Sequence, residues 1–265
     1  MKIAVQLWAK MKVVFVILLW GLLGPLTGGA PMKQRIETDP ELTAGYFQGD
    51  MVVDVKRNGL IDPANRWPNN TVYYKINDDY FDTQHRNYVL RGMQIIEEIS
   101  CIRFKDVSGT DKPDYVNITG SPGGCYSSVG WTSRVQNYNL QIYPPDKGCF
   151  RMGTIVHEFL HTLGFYHMQS ASNRDDYVRI AEENIQSGME HNFFKHKEDV
   201  VDNFDQDYDY GSILHYTAYA FSKNGEMTII PLKDKEASGV MGQRRMLTKS
   251  DVRKLNIMYK CPLKL

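Results

Sequence analysis

His157, Glu158, His161 and His167 fall within one short stretch of the chain. Residues four apart lie on one face of a helix, so His157 and His161 can offer two imidazole nitrogens to a single metal ion. Glu158 leaves the helix about 100° further round, which sets it beside such an ion and within reach of a water that the ion holds. Gly164 brings in the third histidine. A glycine can take the left-handed conformation that ends a helix, and the chain then doubles back to present His167 to the same ion. Three neutral imidazoles with one position left open describe a catalytic zinc centre, because structural zinc is closed by four protein ligands, mostly cysteines. The chemistry of such a centre is metal-assisted hydrolysis with Glu158 as general base. A lone histidine on an amphipathic helix is more often an ordinary surface or core residue; here the register of all four residues separates the two readings.

The elements that must position these residues can be read at coarse grain. The zinc helix is expected from about Gly153 to Leu163. Ahead of it, residues 71–76 read as a strand, and Val89, Met93, Ile96 and Ile99 repeat at helical spacing. Further short strands are expected at 101–104, 115–118 and 139–142. Residues 168–245 are rich in Asp, Asn, Ser, Gly and Tyr with few periodic runs, which predicts a loop-dominated lower half held by a disulfide and the metal. Thr248 with Asp251 resembles a helix-opening box, ahead of an apolar face made by Val252, Leu255, Met258 and Tyr259.

At 265 residues and 42% hydrophobic content, the chain suits one catalytic domain with leader segments. Its 31 basic and 31 acidic residues cancel and are spread along the chain, which excludes the electrostatic footprint of a nucleic-acid partner. Lys10 and Lys12 precede an apolar run at 13–26, and Gly28, Gly29 and Ala30 follow, the order of a secretory signal peptide over residues 1–30. The run falls short of the roughly 20 residues of a membrane span and contains Gly21, Gly24 and Pro25, so no membrane association is expected. An uncleaved anchor holding an ectodomain is the alternative. Either Met1 or Met11 serves as a start.

Cys101, Cys125, Cys149 and Cys261 should pair in an oxidising compartment, with three connectivities open. Cys125 and Cys149 bracket a Gly- and Ser-rich stretch and suit a local staple. Asn69 and Asn117 each open an Asn-x-Thr triplet, the N-glycosylation rule of an exported chain. Asp50 follows the flexible Gly49 and precedes the dibasic pair Lys56-Arg57. A carboxylate set on the open zinc position would silence the enzyme, and a tryptic-type cut would release it. On these residues alone, 31–57 is either a propeptide or a plain linker ahead of a catalytic domain at 58–265, and it is a family resemblance that favours the propeptide.

Together these residues resemble the astacin family of zinc metalloendopeptidases, in the metzincin clan. The spacing from His157 to His167 matches the extended zinc signature of that clan. The turn at 212–216, with Leu214 and Tyr216, looks like the family's Met-turn, and Phe47-Gln48-Gly49-Asp50 looks like its propeptide motif. The resemblance runs from Phe47 to Cys261, about four fifths of the chain. It implies an α+β, zincin-like fold in two subdomains. The first is a twisted mixed sheet with two helices, the second is mostly irregular with a terminal helix, and the active-site cleft lies between them. It implies one zinc ion on His157, His161 and His167, with Glu158 as general base. Tyr216 would ligate zinc at rest and swing away to hold the oxyanion, and Asp50 would block zinc in the latent form. It further implies Cys101 paired with Cys261 and Cys125 with Cys149, and a protein or peptide substrate laid along an edge strand that includes Leu140 and Ile142. The picture is of a secreted monomer activated by a trypsin-like protease.

Arg244, with Arg245, falls where some members keep a basic residue lining the pocket beyond the scissile bond, which favours acidic residues there; solvated surface charge is the alternative. Two departures stand out. Leu214 replaces the Met-turn methionine, a volume-conserving change that costs under about 1.5 kcal/mol. Met168 stands where the family carries a glutamate that pairs with the new N-terminal ammonium, and a thioether cannot make that charge-assisted bond. Ala171 and Asn173 also replace a motif arginine and aspartate, while Arg174 and Asp175 remain. A zinc-bearing recognition factor with relaxed catalytic demands is the rival reading, and intact Glu158 and Tyr216 argue against it.

Overall fold

Strand β2 (Thr71–Ile76) shows how the sheet is built, since Val72, Tyr74 and Ile76 alternate inward while Thr71, Tyr73 and Lys75 are only partly covered. The computed structural model describes residues 39–53 and 62–262, all within the compact unit Ile36–Leu265. The expected signal peptide, the Lys56-Arg57 pair and the expected domain start at Asn58 lie outside the described residues. Five further strands join β2: β1 (Met51–Val52), β3 (Arg103–Asp106), β4 (Val116–Thr119), β5 (Cys125–Ser128) and β6 (Gln136–Leu140). Their order is β1-β5-β6-β4-β2-β3, and every pairing is parallel except that of β5 with β6.

Helices α1 (Thr83–Ile99) and α2 (Met152–Thr162) pack against the sheet. Asp82 caps α1 by accepting from the His85 N–H at 2.8 Å. Val89, Met93 and Ile96 of α1 share one core with Ile155 and Phe159 of α2, and with Val116, Ile118 and Tyr138 of the sheet. Tyr138 stacks on Phe159 with ring centroids 4.4 Å apart and donates its hydroxyl to the Ile155 carbonyl at 2.9 Å. Each such buried side chain contributes about 1.5–3 kcal/mol through burial.

The edge strand differs from expectation. Leu140 is fully buried in β6, which runs inside the sheet between β4 and β5, and Ile142 lies beyond the strand's end, 40% exposed. Strand β5 pairs with β6 on one side and is covered by β1 on the other. Cys125-Tyr126-Ser127-Ser128, set between Gly124 and Gly130, has no β-branched run to announce it.

The lower half follows a different plan. A two-stranded ribbon of β7 (Val178–Ile180) and β8 (Ile229–Pro231), with several short 3₁₀ turns, surrounds a second core that includes Ile185, Phe193, Tyr216, Phe221 and Ile229. Neither disulfide lies within residues 168–245, so this half is held by its own apolar cluster and not by a cystine as expected. The bridges join Cys101 to Cys261 and Cys125 to Cys149. The first ties the chain just beyond helix α3 (Lys249–Met258) to the end of α1. Chain entropy credits it with about 5 kcal/mol and the shorter loop with about 3.5 kcal/mol. Helix α3 opens with the expected box: the Thr248 hydroxyl accepts from the Asp251 N–H at 3.1 Å, and the Asp251 carboxylate accepts from the Thr248 N–H at 3.0 Å.

Candidate metal centre and active site

Helix α2 is buried from Gly153 to Thr162, so its histidines point into protein and not into solvent. Its start leaves no room for a side chain at Gly153: a Cβ there would stand 1.9 Å from the Arg244 carbonyl oxygen, whose backbone crosses the helix. Its end is a Schellman turn. Gly164 has φ +103°, the Gly164 N–H donates to the His161 carbonyl at 2.7 Å, and the Phe165 N–H donates to the Leu160 carbonyl at 2.9 Å. The reversal carries His167 back to the two helical histidines, as the spacing predicted.

Each ring is aimed by its outer nitrogen. His157 Nδ1–H donates to the Ile213 carbonyl at 2.8 Å and His161 Nδ1–H to the Phe165 carbonyl at 2.6 Å, which fixes the tautomers and leaves both Nε2 atoms facing inward. His167 Nδ1–H donates to Gln48 Oε1 at 3.1 Å. His157 Nε2 is 3.0 Å from His161 Nε2 and 3.2 Å from Asp50 Oδ2. Asp50 Oδ1 is 3.3 Å from His167 Nε2 and 3.7 Å from His161 Nε2.

Four ligands held about 2.0–2.2 Å from a tetrahedral ion stand about 3.3–3.6 Å apart, so this spacing fits one zinc ion. The unpaired atoms say the same. Among the described residues, His167 Nε2, Asp50 Oδ1 and both Glu158 oxygens are buried without a hydrogen-bond partner. Burial pushes the Asp50 carboxyl up to about 6, and burial together with Asp50 pushes Glu158 well above the carboxylate range. Burial pulls His157 down to about 4, which keeps it neutral and ready to ligate. A buried carboxylate, Asp50, set against the inward nitrogens of three neutral imidazoles calls for a cation between them.

The turn at 212–216 is clamped from below. Asp251, already capping α3, accepts from the Ser212 hydroxyl at 2.6 Å and from the Ile213 N–H at 3.0 Å. The helix cap and the carbonyl that orients His157 are therefore one assembly. Leu214 is buried in the same core as Leu160 and Leu163, and its carbonyl accepts from the Met168 N–H at 3.0 Å, so an apolar floor survives the missing methionine. The Tyr216 ring lies 4.7 Å from the His167 ring, and its hydroxyl donates to the Gln48 carbonyl at 2.6 Å.

Beside the third histidine, Met168 Sδ accepts from the ammonium of Lys254 at 3.3 Å. Lys254 is 8% exposed and its burial lowers its pKa. The place that the resemblance gives to an ammonium-accepting glutamate thus holds a thioether and the chain's own ammonium. A lysine on an amphipathic helix reads as surface, so nothing in the sequence could have marked it.

Arg244 is not a solvated charge. Its side chain is 7% exposed and pairs with Glu41 at 2.7 Å, whereas Arg245 is exposed. Asn69 sits exposed in a turn with φ +54°, and Asn117 is half-buried in the middle of β4; neither is part of the centre. The structure therefore brings together His157, His161, His167, Asp50, Glu158 and Tyr216. Glu41, Gln48, Thr154 and Lys254 are participants that the sequence reading missed. Among the described residues, no helix is long and apolar enough to cross a membrane.

Comparison with known proteins agrees with this geometry. Residues 59–260 match the family model described as Astacin, a peptidase family. The chain is 42% identical over 248 residues to seminal metalloprotease 1 of Drosophila melanogaster, covering 92% of this chain and 97% of that protein. It is 38% identical over 218 residues to the human meprin A subunit beta, covering 81% of this chain but 30% of that longer protein. In structure it is similar to high choriolytic enzyme 1, a hatching enzyme zinc-protease of Oryzias latipes, with a TM-score of 0.65 and 32% identity over 74% of this chain and 94% of that one. With three inward-facing imidazoles around one metal position and a family match across most of its length, the chain belongs to the astacin family and is a zinc metalloendopeptidase.

Proposed function

We propose that this chain is a secreted zymogen whose residues 31–57 keep the zinc centre silent until a trypsin-like protease cuts at Lys56-Arg57. The reading rests on one observation: Asp50 places its carboxylate against the inward nitrogens of all three histidines, where a substrate and a water would otherwise enter. Residues 1–30 then act as the signal peptide and residues 58–265 as the catalytic domain, released as a monomer. Asn69 and Asn117 are its glycosylation sites, Asn69 being the more accessible.

Bound zinc supplies Lewis acidity, lowering the pKa of a water to about 7 and polarising a peptide carbonyl. Glu158 is the general base. Its oxygens have no competing hydrogen bond among the described residues, and burial favours its protonated form, so it can take a proton from water and deliver it to the leaving amine. Tyr216, freed from the Gln48 carbonyl when the propeptide leaves, donates to the developing oxyanion, a contribution of about 3 kcal/mol. Once β1 is gone, the exposed edge of β5 receives the substrate backbone, and Arg244 receives an acidic side chain beyond the scissile bond.

Full-length protein treated with trypsin is expected to cleave casein, to stop when a chelator strips the metal, and to recover on addition of zinc. Cleavage that continues in metal-free protein would sink the reading.

A further inference from the structure

Asp50 is not the most firmly paired charge of residues 39–53; Glu41 is. Its side chain is 2% exposed and is bonded to Thr154 of the zinc helix, outside the group of candidate metal ligands. Glu41 Oε2 accepts from Arg244 Nε at 2.8 Å and lies 2.7 Å from Arg244 Nη2, and Oε1 accepts from the Thr154 hydroxyl at 2.7 Å. Arg151 Nη2 stands 3.6 Å away. Burial alone would raise the Glu41 pKa, but the Arg244 guanidinium holds it well below the usual carboxylate range, so Glu41 is an anion.

The receiving groups are prebuilt on the catalytic side. Arg244 Nη1 donates to the His215 carbonyl at 3.1 Å, which fixes the fork next to Tyr216, and the Arg244 backbone is seated on Gly153. Thr154 lies one helical turn before His157. Asp39 adds a weaker contact, with Arg151 Nη2 at 3.3 Å from its Oδ1.

We propose that Glu41 is a second lock on latency, independent of the metal: its carboxylate fills an anion pocket made by Arg244, Thr154 and Arg151, and the propeptide is held at two points. This rests on the reading of residues 31–57 as a removable propeptide. The lock occupies the pocket given above to an acidic substrate side chain, so Glu41 and substrate compete for the same guanidinium. Removing either carboxylate alone then loosens the propeptide, and raises the uncut activity, while the other point still holds.

The test compares full-length wild type with full-length Glu41→Gln before and after trypsin. Both give the same mature enzyme, so equal activity after the cut shows that the variant has folded. Uncut Glu41→Gln should cleave casein at least about 10-fold faster than uncut wild type, in keeping with the loss of a charge-assisted bond. Equal silence of the two uncut proteins overturns the lock. If the variant fails to fold, synthetic residues 39–50 decide with trypsin-activated wild type. The natural peptide should inhibit at least about 10-fold more strongly than its Glu41→Gln form, a difference that vanishes on Arg244→Gln enzyme. Equal inhibition by the two peptides, or a difference that persists on Arg244→Gln, overturns the proposal. Trypsin-treated wild type without casein cleavage would instead defeat the proposed function itself.

Discussion

Trypsin-activated Glu158→Gln protein is expected to cleave casein about 10²–10⁴-fold more slowly than wild type while still holding one zinc ion per chain. Glu158 is fully buried, its two oxygens have no partner among the described residues, and the group of potential metal ligands comprises Asp50 and the three histidines without it. Glutamine keeps the volume and cannot take a proton, so the loss falls on turnover and not on metal or fold. Steady-state kinetics beside zinc analysis on the same sample checks both halves. Near-normal turnover would remove Glu158 as the base, and lost zinc would make it a structural ligand.

Full-length Asp50→Asn should show the reverse behaviour before any cut. The carboxylate stands 3.2 Å from His157 Nε2 and 3.3 Å from His167 Nε2, where it would share a zinc ion with the imidazoles, and the neutral amide is a weaker ligand than the anion. A loss of about 1.5–3 kcal/mol, the scale of an interaction made by a charged group, raises the open fraction, and so the uncut activity, by about 10- to 150-fold. The change also relieves Glu158, whose pKa is raised by burial and by the Asp50 charge. Uncut variant as inactive as wild type would mean that Asp50 is a passenger in a segment held elsewhere.

What could be read from the sequence was local. The register from His157 to His167 needs one helix and one glycine reversal, and both sit close together along the chain, so α2 and its Schellman end follow directly. Thr248 and Asp251 announce their own cap. β2 was visible because Thr71-Val72-Tyr73-Tyr74 favours a pleated, half-buried surface. What escaped was either too short or too distant. β5 exists because β6 and β1 flank it, not because its serines prefer a strand. The lower core joins Phe193, Tyr216 and Ile229, whose spacing has no helical or strand period. Glu41 and Arg244 stand 203 residues apart, and only the fold shows that one neutralises the other. The same holds for Lys254 beside Met168. The stretch between Cys125 and Cys149 suggested a local staple, but the full pairing came with the family resemblance, since four cysteines permit three arrangements.

X-ray absorption at the zinc edge of the uncut full-length protein addresses the centre itself. Three imidazole nitrogens at about 2.0–2.1 Å and carboxylate oxygen at about 2.0–2.2 Å are expected, with the imidazole count unchanged after trypsin. Sulfur in the first coordination sphere, or fewer than three imidazoles in either form, would contradict a centre built from His157, His161 and His167.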